Sequence, residues 1–203
     1  MKRGMIIGLS IAGGILLLIL ILVMWGVGSY NKLVNLNEGV NSSWSQVENQ
    51  YQRRADLITN LVNTVKGYAN FEKSVLTDVT EARAKVSQMN VTKEVLNDPQ
   101  AFAKFQQLQG NLSGALSRLL VTVENYPNLK ANENFLQLQA QLEGTENRIA
   151  VERRNFNEVV QQYNVSIRRF PTAIFAGMFG FRYKEYFKSV AGSETAPKVE
   201  FLD

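Results

Sequence analysis

Histidine and cysteine are both absent from the chain, so the side chains that could do chemistry are few. Their absence removes Ser-His-Asp triads, cysteine nucleophiles, histidine general bases and the usual zinc sets. Asp, Glu, Lys, Tyr and Ser remain. No phosphate-binding glycine loop, dinucleotide fingerprint or calcium loop occurs. No catalytic residue, cofactor or metal ligand is expected. A hydrolase using Asp/Glu or Ser/Lys groups is the weakest alternative, and a convergent polar pocket inside the fold would favour it.

Three clusters stand out among the residues that remain. Arg53, Arg54 and Asp56 read either as an anion or lipid-headgroup site or, more simply, as a solvated helix face whose ion pairs contribute little. Arg54 differs from its neighbours because it falls in an apolar seam and needs a partner. Glu146, Arg148, Glu152, Arg153 and Arg154 form a charged patch best explained by interhelical pairing, and Asn147 and Asn157 beside it by capping or bridging. Between Phe170 and Phe187 aromatics crowd a stretch broken by Pro171, Gly177 and Gly180, with Arg182, Lys184 and Lys188 interspersed. Phe175, Phe179, Phe181, Arg182, Tyr186 and Phe187 form either a membrane-interface or partner-docking element, or a lid over the end of a bundle.

These clusters must be positioned by long helices. Residues 4–29 carry no charge, and Ile6 to Val27 are apolar enough to cross a bilayer, which takes about 20 such residues. The length of the run, and Trp25 and Tyr30 at its end, favour an anchor over a cleaved signal peptide. Lys2 and Arg3 precede it and only Lys32 closely follows, which predicts an amino terminus in the cytoplasm and the bulk of the chain outside. Setting those two aside leaves 20 basic residues against 18 acidic ones, with no basic stripe for nucleic acid.

From Val40 a four-three spacing runs for about seven heptads to Met89, the pattern of a helix with one buried stripe. Its weakest points are Gly39 and Gly67. Residues 90–98 read as a connection, with Asp98 and Pro99 as cap and first position of a second helix ending near Tyr126-Pro127. A third helix starts after Asn132 and ends before Pro171. A short fourth segment, roughly 172–188, follows. Counting from the turns sets Glu72 level with Arg118, and together with Arg54 they are the expected polar layer. The first helix then outruns the second, leaving Val40, Trp44, Val47, Tyr51, Ile58 and Leu61 without an intrachain partner. That mismatch predicts a homo-oligomer packed through this stalk.

Several stretches resemble the LemA family: Tyr30-Asn31-x-Leu33-Val34, Gln52 to Val62, Val65-Lys66-Gly67-Tyr68-Ala69, Glu124-Asn125-Tyr126-Pro127 and Gly144 to Ala150. Tyr163-Asn164, Phe170-Pro171, Phe179-Gly180-Phe181 and Tyr186-Phe187 continue the likeness. The resemblance implies a bacterial protein with an amino-terminal membrane helix and an elongated antiparallel bundle, and implies no enzyme activity. Thr59 stands where such proteins often have proline, and Phe71 near a common histidine. Family descriptions place the short amino terminus outside the cell, opposite to the charge pattern.

The expected fold is therefore all-α: a cytoplasmic stub and transmembrane anchor (1–29) continuing into an elongated antiparallel helical bundle (30–188), then a flexible tail (189–203). The expected role is a self-assembling, single-pass scaffold of the bacterial inner membrane, with the bilayer, further copies and an unidentified envelope protein as partners. A lipid-binding or membrane-shaping module is the alternative.

Overall fold

The computed structural model describes residues 2–68, 71–89 and 93–188. The predicted tail, 189–203, and residues 90–92 of the predicted connection lie outside them.

The first helix, α1 (Lys2–Lys66), is continuous for 65 residues. Its first part is a segment long and apolar enough to cross a membrane, and Ile6, Leu9, Leu16 and Leu20 in it are exposed. Past Ser29 the same helix becomes one side of a bundle. Leu33, Val40, Trp44, Val47, Ile58, Leu61 and Val65 are fully buried along one stripe, at the four-three spacing that returns side chains to one face.

The helix stops at Lys66, and Gly67 opens the turn. Of the two weak points expected, only Gly67 breaks. Gly39 stays helical, and an added Cβ there would meet Val159 Cγ1 at 3.7 Å, an ordinary contact distance. After the turn come α2 (Lys73–Gln88), a 3₁₀ turn (Lys93–Asn97) and α3 (Pro99–Val123). The start of α3 is built as expected: the Asp98 carboxylate accepts from Gln100 N at 2.8 Å and Ala101 N at 3.1 Å, and Pro99 opens the first turn. A short α4 (Pro127–Lys130) leads into α5 (Glu133–Arg168), whose Asn132 cap accepts from Phe135 N at 3.1 Å. The last helix among the described residues is α6 (Thr172–Met178).

The four long helices run up, down, up, down. Arg83 Nε of α2 donates to the Ala55 carbonyl of α1, Arg118 of α3 reaches Asp78 of α2, and Arg54 of α1 reaches Glu146 of α5. The break at Gly67 corrects the single long heptad helix expected to Met89. It also removes the length mismatch, because the soluble half of α1 pairs along its length with the 36 residues of α5 while α2 and α3 pair with each other. Val40, Trp44, Val47, Tyr51, Ile58 and Leu61 are consequently all buried inside one chain. The apolar stripe gives no reason to invoke a second copy.

The fourth segment also differs from expectation. Only Thr172–Met178 is helical. Gly180, at φ +73°, turns the chain in a left-handed conformation that suits glycine, and residues 181–188 run extended along α5.

Candidate functional site

The core is split into two apolar clusters by one polar layer. Tyr51, Phe105 and Ile149 belong to the membrane-proximal cluster, and Leu57, Leu112 and Leu142 to the distal one. Between them on three helices sit Arg54, Gln109 with Ser113, and Glu146. The Arg54 guanidinium is 2% exposed and donates to Ser113 Oγ at 3.1 Å, to Glu146 Oε1 at 2.8 Å and to Gln109 Oε1. Its Nε has no hydrogen-bond partner among the described residues. The expected polar layer therefore exists, with different members. Glu72 is an exposed residue at the start of α2, and Arg118 pairs on the surface with Asp78 at 3.5 Å. Counting from a turn missed this because the first turn falls at Gly67 and not after Met89.

Ser113 and Glu146 also border a groove of about 490 Å³ between α3 and α5, floored by Leu116, Leu120 and Leu142. The hydrogen-bond neighbour of the Ser113 hydroxyl here is a guanidinium, which cannot take its proton. Among the described residues no three carboxylates gather as a metal set. Arg53 and Asp56 stay exposed, as a solvated helix face would.

The second constellation lies where α1 leaves its apolar run. Helix α6 packs on α1: Phe175 meets Trp25 edge-on with ring centroids 5.3 Å apart, and a Cβ at Gly26 would lie 3.0 Å from the Phe175 ring. Phe179 and Phe181 flank Tyr30 at 4.8 and 6.0 Å. Phe170, Ile174, Met178 and Phe179 remain exposed around this foot.

Beyond Gly180 the chain becomes a strap held by side chains in place of a sheet. Asn164 accepts from Lys184 N at 3.0 Å and donates to Lys184 O at 2.9 Å. Asn157, two helical turns earlier on α5, does the same to Phe187, both at 2.9 Å. Tyr163 OH donates to Arg182 O, Arg153 to Lys188 O, and Glu185 N to Leu96 O. Burial pushes the Tyr163 phenol up to about 12, so it stays a protonated donor. The strap ends with Phe187 inserted among Trp44, Phe102, Phe105 and Phe156, and Arg153 stacked over its ring at 4.6 Å.

Of the six docking candidates, Phe187 is therefore core, while Phe175, Phe179 and Phe181 form the foot against α1. Arg182 is exposed on the strap and Tyr186 is half-buried beside Tyr183. The second half of the segment packs into the bundle, as the lid reading has it, and the first half packs on α1. Asn164 was missed as a clamp, although its seven-residue spacing from Asn157 placed both amides on one helix face.

Two cavities flank the foot. A groove of about 520 Å³ runs along α1 from Ile19 to Tyr30, walled by Phe175 and Phe179 and almost wholly apolar. Above it lies a polar pocket of about 480 Å³, lined by Asn37, Asn97, Tyr163, Arg182 and Lys184. Tyr30 and Phe179 line both. Lys184 is 6% exposed, and burial lowers its pKa.

An apolar helix that continues unbroken into a four-helix bundle, clasped at its base by an aromatic foot, defines a membrane-associated all-α protein. The sequence pattern of the LemA family matches residues 43–201, and the chain belongs to that family. It is similar to magnetosome protein MamQ of Magnetospirillum gryphiswaldense, at 26% identity over 82% of this chain and 67% of that protein. MamQ 1 of Paramagnetospirillum magneticum is 25% identical over the same shares. Protein LemA of Metamycoplasma hominis is 27% identical over 72% of this chain and 63% of its own length.

Proposed function

We propose that this protein is a non-enzymatic scaffold of the bacterial cell envelope, a stiff mast that holds its bundle at a fixed height above the inner membrane. The observation that carries the reading is the continuity of α1, in which the apolar segment and the central seam of the bundle are one helix. From Tyr30 to Lys66, at 1.5 Å per residue, the mast is about 55 Å long. The foot supports the same reading: its exposed aromatic and aliphatic side chains suit the membrane interface, and they brace the helix where bending would otherwise start. The Lys2 and Arg3 charges favour a cytoplasmic amino terminus, with the bundle outside and available to other envelope proteins.

Because the chain has no cysteine, one residue introduced at exposed Asn63 can be labelled alone. In full-length protein reconstituted into lipid nanodiscs, energy transfer from Asn63→Cys to headgroup dyes should report one narrow distance, about 50 Å above the surface. A broad distribution, or a tip within about 20 Å of the bilayer, would sink the mast.

A further inference from the structure

We infer that the polar pocket above the foot and the apolar groove below it form one binding site for an anionic phospholipid. The pocket would take the phosphate and the groove an acyl chain. The inference rests on the membrane-seated reading of α1 and not on the scaffold role.

Three observations converge. Lys184 is more than nine-tenths buried, lines the pocket, and has no carboxylate within ion-pair distance among the described residues. Among the described residues its Nζ meets the face of Tyr163, 5.8 Å from the ring centroid. Its ammonium is partly desolvated at the pocket wall with no carboxylate beside it, and an anion in the pocket would supply the missing charge. Arg182 lines the same pocket, no acidic residue does, and Asn37 and Asn97 add amides able to donate to phosphate oxygens.

The second observation is height. The pocket begins at Tyr30, where the apolar run ends, and reaches Asn37 about 10 Å farther along the helix, so its lower part lies within a headgroup layer about 5–8 Å deep. The third is length. The groove extends from Ile19 to Tyr30, about 16 Å along the helix, or one leaflet of hydrocarbon. A free phosphate would use the pocket alone. Because Tyr30 and Phe179 join pocket to groove, the occupant that fits both is a lipid.

The test is native mass spectrometry of full-length protein released from nanodiscs containing equal phosphatidylglycerol and phosphatidylethanolamine. The wild type should retain phosphatidylglycerol, one per chain, in preference to phosphatidylethanolamine. Arg182→Gln, an exposed change with little effect on folding, should cut that retention at least fivefold, and Lys184→Met should abolish it. Lys32→Gln, which alters a charge near the membrane outside the pocket, should leave it unchanged. Gly26→Leu, in the groove wall, should weaken retention with every charge in place, and inorganic phosphate at millimolar concentration should not displace the lipid.

Retention unaffected by Arg182→Gln would overturn the site, as would an equal loss in Lys32→Gln, which would mark unspecific attraction. Displacement by inorganic phosphate, or full retention in Gly26→Leu, would overturn the lipid assignment. None of these outcomes depends on the height measured for the bundle tip.

Discussion

At the residue scale, Arg54 shows how one charge can organise a core. Helices α3 and α5 contribute three polar groups between two apolar clusters, and each of those groups bonds to the same guanidinium of α1. Its main partner, Glu146, is 43% exposed and can return to water, whereas Gln109 is buried. The two losses differ in kind: removing the arginine leaves a void and an unpaired buried amide, whereas removing the glutamate leaves a buried guanidinium with no carboxylate. Arg54→Ala should destabilise the bundle by about 2–4 kcal/mol. Glu146→Ala should cost about 3–5 kcal/mol, although the arginine keeps two neutral acceptors. Urea melts of both variants decide the point, and a loss below about 1 kcal/mol in Glu146→Ala would mean that the buried fork, not the ion pair, holds the layer.

At the element scale, the strap is an extended segment without a sheet. Buried backbone groups need partners, and Asn157 and Asn164 each satisfy both groups of one strap residue with a single amide. Their spacing of seven residues, two turns of α5, repeats the amide along one face. Phe187 then anchors the end of the strap in the core. Replacing both asparagines by alanine should leave four backbone groups unpaired, at roughly 1–3 kcal/mol each where buried. Trypsin should then cut after Lys184 and Lys188 at least ten times faster, with helix content by circular dichroism unchanged. Cleavage as slow as in the wild type would mean that Phe187, and not the amides, secures the strap.

At the scale of the whole molecule, the bundle closes on itself. The six stalk residues that called for a second chain are packed by α3 and α5, with Trp44 in contact with Phe102, Phe105 and Phe156. Trp44→Ala should therefore lower the stability of the bundle by about 3–5 kcal/mol, the usual range for emptying a core aromatic site. The mass of the detergent-solubilised protein, measured by light scattering with detergent subtracted, should not change. If the mass fell and the melting temperature held, the stalk would be an intersubunit surface after all. A multi-subunit mass that both proteins shared would move self-assembly to another face, such as the apolar run or the α3–α5 groove.

The sequence by itself determined whatever depends on neighbours along the chain. The apolar run, the buried stripe of α1, the caps at Asp98 and Asn132, the weak point at Gly67 and the partner-seeking Arg54 all follow from local spacing and side-chain chemistry. The tertiary structure alone decided what depends on where helices turn. Heptad spacing continued past Gly67 merges α1 with α2, and that one merger produced both the Glu72–Arg118 pairing and the unfilled stalk. It is a natural error, since heptad spacing continues through the turn and a hairpin preserves the apolar face of both arms. The path of residues 181–188 was equally illegible, because an extended strand bonded to side chains leaves no periodic signal. The paired pocket and groove became visible only when that strap crossed back over α1.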